Sequence, residues 1–148
     1  MYHGQGKEYW SGELKYEGEF KYNKLHGQGK EYSVWGDGLT YEGGWQNGKH
    51  HGQGKKYGSG KLKYEGEFKD GRIHGQGKEY DDKGNLVYEG EWENNKRHGQ
   101  GKEYCAGFDE LWYEGEWQNG LYHGQGRGYD CYGNLRYAGE WKEGNKVE

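Results

Sequence analysis

Two short blocks recur along the chain at fixed spacing, and this regularity constrains the fold more than any other feature of the sequence. The first block, HGQG, begins at His3, His26, His51, His74, His98 and His123. The second, which reads Tyr-Glu-Gly-Glu-Trp or a close variant, begins at Tyr16, Tyr41, Tyr64, Tyr88, Tyr113 and Tyr137. Each later His lies ten positions after the preceding Tyr, so the length variation falls between HGQG and the next Tyr. Variation confined to one segment per repeat is typical of exposed hairpin tips.

Side chains in the second block alternate with period two, as they do in a half-buried β-strand. Leu14, Tyr16 and Phe20 share one face of this strand, while Lys15 and Glu19 share the other. Asn-Gly or Asp-Gly in several of the connections to HGQG favours tight turns between antiparallel strands. We therefore predict an all-β fold, an elongated, twisted, single-layer antiparallel β-meander with about twelve strands. The predicted single array covers residues 1–148, with hairpins near 3–23, 26–46, 51–69, 74–93, 98–118 and 123–142 and a charged tail at 143–148.

Aromatic residues must supply most of the core, since aliphatic residues are scarce. The chain contains 16 Tyr, 7 Trp and 3 Phe beside 32 Gly. One aromatic side chain buries about 150–250 Å². Because the repeated glycines lie beside the Tyr and Trp rows, we expect each ring to lie over a neighbouring glycine on one face of the sheet.

The blocks YEGEFKDGRIHGQG at 64–77 and YEGEWQNGLYHGQG at 113–126 resemble the MORN repeat, and the resemblance extends from His3 to Gly144. It implies a single-layer β-meander that serves in scaffolding and self-association, with lipid contact in some members of the family. Gly44 and Ala138 depart from the pattern, since other copies have Glu there. Neither departure touches the frame of Tyr, Trp and Gly.

The repeated histidines and glutamates do not form a plausible chemical site. Histidines that recur once per two strands lie about 10 Å apart, too far to share one ion, and the adjacent His50 and His51 point to opposite faces. HGQG opens a strand, whereas phosphate loops open a helix. The Glu rows face Lys rows in nearly every repeat, which indicates a solvated charge lattice. We predict no catalytic activity, no metal site and no cofactor.

The two cysteines, Cys105 and Cys131, occupy hairpin tips one repeat apart. At that separation we expect them to be too distant for a disulfide, so both are predicted to be free thiols. No apolar run approaches the about 20 residues of a membrane span. The N-terminus also lacks the apolar segment of a signal peptide. A cytoplasmic location is the resulting expectation.

The aromatic stripes predict a groove for protein partners of unknown identity. The predicted binding residues are Tyr16, Phe20, Tyr41, Trp45, Tyr64, Phe68, Tyr88, Trp92, Tyr113, Trp117, Tyr137 and Trp141. Unpaired edge strands predict a homodimer through a terminal repeat. The alternative is a membrane-surface adaptor that binds anionic phospholipids through the basic row at Lys24, Lys49, Arg72 and Lys96. Leu121 breaks this row and acidic rows outnumber basic ones, so lipid is not favoured and nucleic acid is excluded. Alternation leaves open which face the histidine row occupies.

Overall fold

A computed structural model describes residues 1–148 of the protein. These residues form two compact units, 1–72 and 73–148. Every regular element is a β-strand, and no helical segment that could span a bilayer is present in the fold.

The first unit is an antiparallel meander of six strands. Its strands are β1 (Gly4–Trp10), β2 (Glu13–Lys21), β3 (Lys24–Tyr32), β4 (Leu39–Gln46), β5 (Lys49–Gly58) and β6 (Lys61–Lys69). Each strand pairs with the next one along the chain. The predicted fold class is confirmed in this unit.

The second unit repeats the same topology. Its strands are β7 (Arg72–Tyr80), β8 (Leu86–Glu93), β9 (Lys96–Tyr104), β10 (Leu111–Gln118), β11 (Leu121–Tyr129), β12 (Leu135–Lys142) and β13 (Asn145–Lys146). Each again pairs antiparallel with the next. The two-residue strand β13 comes from the charged tail and adds to the twelve strands that the repeats supply. The single array predicted over residues 1–148 stays a prediction.

Tight turns join the second block of each repeat to the next HGQG. Asn47 and Gly48 both have positive φ, 51° and 79°, as a type I′ turn requires, and the other Asn-Gly and Asp-Gly pairs agree. Tyr22 and Asn23 adopt the same conformation without a glycine. The Gly48 N–H donates to the Leu25 carbonyl of the preceding turn region, at 2.9 Å, and equivalent bonds recur in both units. Because each turn bonds to the one before it, the spacing from Tyr to the next His cannot vary.

The first glycine of HGQG creates a β-bulge in its strand. Gly27 has φ 63°, in the left-handed region, and the β2–β3 register shifts beside it. The Glu19 carboxylate accepts a hydrogen bond from the Gln28 N–H at 3.2 Å, which holds the bulge. The histidine before each bulge lies at the turn end of its strand, where His51 Nδ1 accepts from the Asp70 N–H at 3.3 Å. The histidine row therefore supports turns.

Candidate functional site

The predicted binding residues form an aromatic ladder that is the core of each unit. Ten of the twelve are buried, and only Phe20 and Tyr137 are half-buried. Tyr and Trp rings form T-shaped pairs both within a strand, such as Tyr41 with Trp45 at 5.3 Å between ring centroids, and between strands, such as Tyr16 with Trp45 at 5.2 Å. Their role in binding a partner stays a prediction, while the structure shows their role in packing.

The ladder tyrosines of β2, β4, β8 and β10 lie over glycines of their own and the next strand, as the sequence predicts. A Cβ on Gly54 would lie 2.3 Å from Tyr41 Oη, and one on Gly126 would lie 2.2 Å from Tyr113 Oη. The second glycine of HGQG is therefore required because the ring of the preceding repeat fills the space of a side chain. This close approach explains why the motif recurs in every repeat.

The polar atoms of the ladder are all used to hold backbone. Tyr113 Oη donates to the Glu116 carbonyl at 2.8 Å, and Trp117 Nε1 donates to the Gly101 carbonyl at 3.2 Å. Burial raises the pKa of Tyr113 to about 12, so the hydroxyl stays protonated near neutral pH. The phenols of the ladder consequently act as hydrogen-bond donors and not as acids or nucleophiles.

The residue immediately before HGQG covers the ladder, and the sequence analysis missed its importance. The His50 ring stacks on Tyr41 with 3.6 Å between centroids, and Tyr122 stacks on Tyr113 at 4.0 Å. His50 Nε2 also lies 3.2 Å from Glu31 Oε2, and this hydrogen bond lowers the pKa of Glu31. The signal in the sequence is that this position varies strongly while its neighbours repeat.

In the second unit, Arg97 occupies the same position and is mostly buried. Its guanidinium lies 4.6 Å from the Tyr88 ring centroid and 5.2 Å from that of Trp117. It donates to Glu79 at 2.8 Å and to Glu103 at 3.0 Å. A cation held by two carboxylates and two rings fixes the local arrangement of β7, β9 and β10.

The opposite face of the sheet carries the predicted charge lattice. Lys30 lies directly opposite Glu17 on one neighbouring strand and Glu42 on the other, with a Lys30 Nζ to Glu42 Oε1 distance of 3.8 Å. In the first unit this face contains a shallow groove of about 540 Å³, floored by glycine backbone and edged by the exposed Gln5 and Gln28. The groove contains both charge signs in alternation, so it has no strong preference for anions or cations.

No group of three or more His, Cys, Asp or Glu side chains is arranged to hold a metal ion. His50 and His51 have separate acidic neighbours, Glu31 and Asp70. HGQG lies within a strand in five repeats, and in the first copy β1 begins at Gly4, so the block forms no helix N-terminus.

The prediction of free thiols is wrong, since Cys105 and Cys131 form a disulfide with their Cα atoms 5.6 Å apart. The expectation that the two cysteines are too far apart requires each tip to continue in line with its strand, so that the tips keep the spacing of the strands. Cys105 follows β9 and Cys131 follows β11, and both lie beyond Tyr104 and Tyr129, the last residues paired in the sheet, so the sheet register does not fix their separation. The two tips bend toward each other over the end of β10.

Large aromatic side chains are exposed at the hairpin tips, outside the ladder. Trp35 in the first unit is 86% exposed, and Tyr132 in the second is 85% exposed. Trp10, Phe108 and Trp112 are also exposed at this end of the strands. Tyr22, which is 60% exposed, lies at the opposite, turn end, so the tips hold most of the accessible aromatic surface and not all of it.

A family model for the MORN repeat matches the chain in seven segments, at residues 1–12, 16–38, 41–61, 64–86, 88–109, 113–127 and 137–147. Six of these segments begin at the Tyr of the second block. A comparison with curated proteins finds no match to the chain.

Proposed function

Because the chain belongs to the MORN repeat family, whose repeats are generally protein- or membrane-interaction modules, we propose that it is a non-catalytic scaffold that binds protein surfaces. The observation that carries this proposal is the exposure of aromatic side chains at the hairpin tips, beside a core that uses its own polar groups internally. Trp and Tyr are among the residue types that contribute most to protein–protein binding. The repeated frame then serves to place variable tips at regular intervals.

The scaffold also associates with itself through a terminal repeat. Strand β1 pairs only with β2, and nearly all of its residues are exposed. Its free backbone N–H and C=O groups can accept a strand from a second copy, with the exposed Trp10 at the contact.

Light scattering over a concentration series tests self-association. The mass should rise from the monomer value of 17.2 kDa toward twice that value as concentration increases. Trp10→Ala should shift the midpoint of this rise to higher concentration. Trp35→Ala, which removes a more exposed ring away from β1, is the matched control and should leave the midpoint unchanged. A wild-type mass that stays at the monomer value at high micromolar concentration would exclude self-association.

A second candidate function, binding of anionic phospholipids, is favoured by one observation in the first unit. Lys24 begins β3 and Lys49 begins β5, so both exposed ammonium groups lie at the turn end of the sheet, where Lys24 also pairs with Lys21. Each such cation contributes about 1 kcal/mol at an anionic membrane.

Co-sedimentation with phosphoinositide-containing vesicles separates the two functions. A membrane adaptor sediments with the vesicles and is released as salt increases. The Lys24→Glu, Lys49→Glu double variant of a membrane adaptor should no longer sediment with the vesicles. The control Lys7→Glu should still sediment, because Lys7 is already 3.6 Å from Glu17 in the charge lattice. A protein-binding scaffold stays in the supernatant at every salt concentration.

A cytoplasmic location stays part of the proposal, and the disulfide bears on it. Stable disulfides persist mainly in oxidising compartments and are rare in the cytosol. Trapping thiols with an alkylating reagent during cell lysis shows the state of Cys105 and Cys131 in the cell. Full alkylation supports a cytoplasmic location, and complete protection from alkylation contradicts it.

A further inference from the structure

The fifth and sixth hairpin tips, residues 105–110 and 130–134, are joined into one surface by the disulfide between Cys105 and Cys131. We call these two segments the stapled tips. A second approach supports the joining, because a Cβ on Gly133 would lie 2.9 Å from Glu110 Oε2. The two tips therefore approach each other at two places.

Each of the stapled tips is also closed by its own hydrogen bonds. The Cys105 N–H donates to the Glu110 carbonyl at 3.0 Å, and the Asp130 N–H donates to the Asn134 carbonyl at 3.0 Å. Asp130 Oδ1 accepts a further bond from the Tyr132 N–H at 3.0 Å. A surface held in this way loses little conformational entropy when a partner binds to it.

Apolar side chains project from the stapled tips into solvent. Phe108 is three residues from Cys105, and Tyr132 is adjacent to Cys131, so both rings belong to the cross-linked segments. Phe108 is 57% exposed, and the neighbouring Trp112 and Leu135 are exposed as well. Such a group of exposed apolar residues is typical of an interaction surface.

The charge of the stapled tips is negative. Asp109 and Glu110 are exposed and take part in no ion pair. The third acid, Asp130, is neutralised by Arg136 at 2.5 Å, and neither tip contains a lysine. Two carboxylates beside exposed rings complement a cation that also has a flat or apolar surface.

We propose that the stapled tips bind an arginine- or lysine-containing segment of a partner protein. A guanidinium from this segment pairs with Asp109 and Glu110 and stacks on the ring of Phe108 or Tyr132, while its alkyl stem covers Leu135. The inference rests on the proposed function, since it names the partner chemistry for one part of the scaffold.

The test uses a fluorescein-labelled peptide of nine arginines, titrated with the full chain and followed by fluorescence anisotropy. Binding should weaken as salt increases. Asp109→Asn with Glu110→Gln should reduce affinity by about tenfold or more, and Phe108→Ala by about fivefold. All three residues are exposed, so these variants leave the core intact, and melting temperature checks this.

The second tip, residues 33–38, offers matched controls in the first unit. It contains an exposed ring and an exposed acid, Trp35 and Asp37, but no cross-link. Trp35→Ala and Asp37→Asn should leave peptide affinity unchanged. The proposal is wrong if the Trp35 and Asp37 variants weaken binding as much as the Asp109→Asn, Glu110→Gln variant does. It is also wrong if that double variant binds the peptide as tightly as the wild type. In either case, attraction to the chain's net charge of -4 accounts for binding.

Reduction of the disulfide gives an independent arm. A dithiol reductant donates two electrons and two protons, leaving two cysteine thiols and becoming a disulfide itself. The affinity of the reduced protein for the peptide should fall by about threefold or more, because the two tips are no longer joined. The Cys105→Ser, Cys131→Ser variant should lose affinity to the same extent. Unchanged affinity in both would overturn the role of the cross-link.

Failure here and failure of the proposed function are distinguishable. Self-association in light scattering with no peptide binding removes the stapled tips as a site but leaves the scaffold. Peptide binding by a strict monomer supports the tips and removes self-association.

Discussion

The requirement for glycine beneath each ladder tyrosine can be tested within a single strand. In β5, a Cβ on Gly54 would lie 2.3 Å from Tyr41 Oη and 2.6 Å from two ring carbons, whereas a Cβ on Gly58 would meet only the flexible Lys63 side chain at 3.2 Å or more. Neither glycine has a positive φ, so Gly54→Ala and Gly58→Ala differ chiefly in what the added methyl meets.

The magnitude follows from how far the ring must move. Ordinary van der Waals contact begins near 3.4 Å, so Tyr41 has to shift by about 1 Å in a site where it packs against Trp45, His50 and Phe68. Overpacking of this kind costs about 1–3 kcal/mol. Loss of the Tyr41 hydrogen bond to the Gly44 carbonyl adds about 1 kcal/mol. We expect Gly54→Ala to lower the free energy of unfolding by about 2–4 kcal/mol and Gly58→Ala to change it by about 0.5 kcal/mol or less.

Urea denaturation followed by tryptophan fluorescence measures both variants. Tyr41→Phe in the wild-type and Gly54→Ala backgrounds completes a double-mutant cycle, and the cost of Gly54→Ala should be smaller when the hydroxyl is absent. Equal stability of the two alanine variants would refute the explanation of why HGQG recurs.

Three further perturbations test other parts of the structure. Arg97→Met leaves two carboxylates without their cation and should lower the free energy of unfolding, measured by urea denaturation, by about 3 kcal/mol. Arg127→Met removes one partner of an exposed ion pair and should lower it by about 0.5 kcal/mol. Equal losses would contradict the difference between the buried and the exposed arginine. Because burial raises the pKa of Tyr113 to about 12, its contribution to stability is complete below pH 10 and is lost as pH rises from 10 to 12. Absorbance at 295 nm near pH 11 should show fewer ionised tyrosines in the folded protein than in the urea-unfolded chain, and equal ionisation of the two would exclude a raised pKa. Reduction of Cys105–Cys131, which closes a loop with a sequence separation of 26, should lower the free energy of unfolding by about 3 kcal/mol, and an unchanged urea midpoint would contradict a stabilising role.

Much of the ladder could be predicted from the sequence, because strand alternation and repeat spacing are both regular. Tyr16 and Phe20 share the core face as predicted, and Lys30 lies opposite Glu42 as the charge lattice requires. Ring-over-glycine packing was also predictable, since a single-layer sheet has only the glycine positions to receive the rings.

The stacking of the residue before HGQG on the ladder tyrosine could not be predicted, because the bulge at the first glycine of HGQG interrupts the alternation of side chains. Residues before the bulge, such as His50 and Arg97, are placed by the left-handed φ of the following glycine region and not by period two. Their stacking on Tyr41 and Tyr88 became apparent only from the structure.

The disulfide was mispredicted for a different physical reason. The spacing between strands is imposed by the backbone hydrogen bonds of the sheet. The tips that contain Cys105 and Cys131 lie beyond the paired residues of β9 and β11. Tip conformation depends on local turns, which vary in length and sequence from one repeat to the next. For the same reason, the accessible aromatic surface of the tips was missed while the ladder was predicted as the binding groove.

Ladder rings form the core, and tip rings form most of the accessible aromatic surface. The seven tryptophans divide along this line, since Trp45, Trp92, Trp117 and Trp141 are 4–8% exposed, whereas Trp10, Trp35 and Trp112 are 45–86% exposed. Fluorine NMR of protein labelled with 5-fluorotryptophan, with a soluble paramagnetic reagent added, measures this division directly. Three resonances should broaden and four should not. Equal broadening of all seven would show that the ladder is open to solvent and contradict the claim.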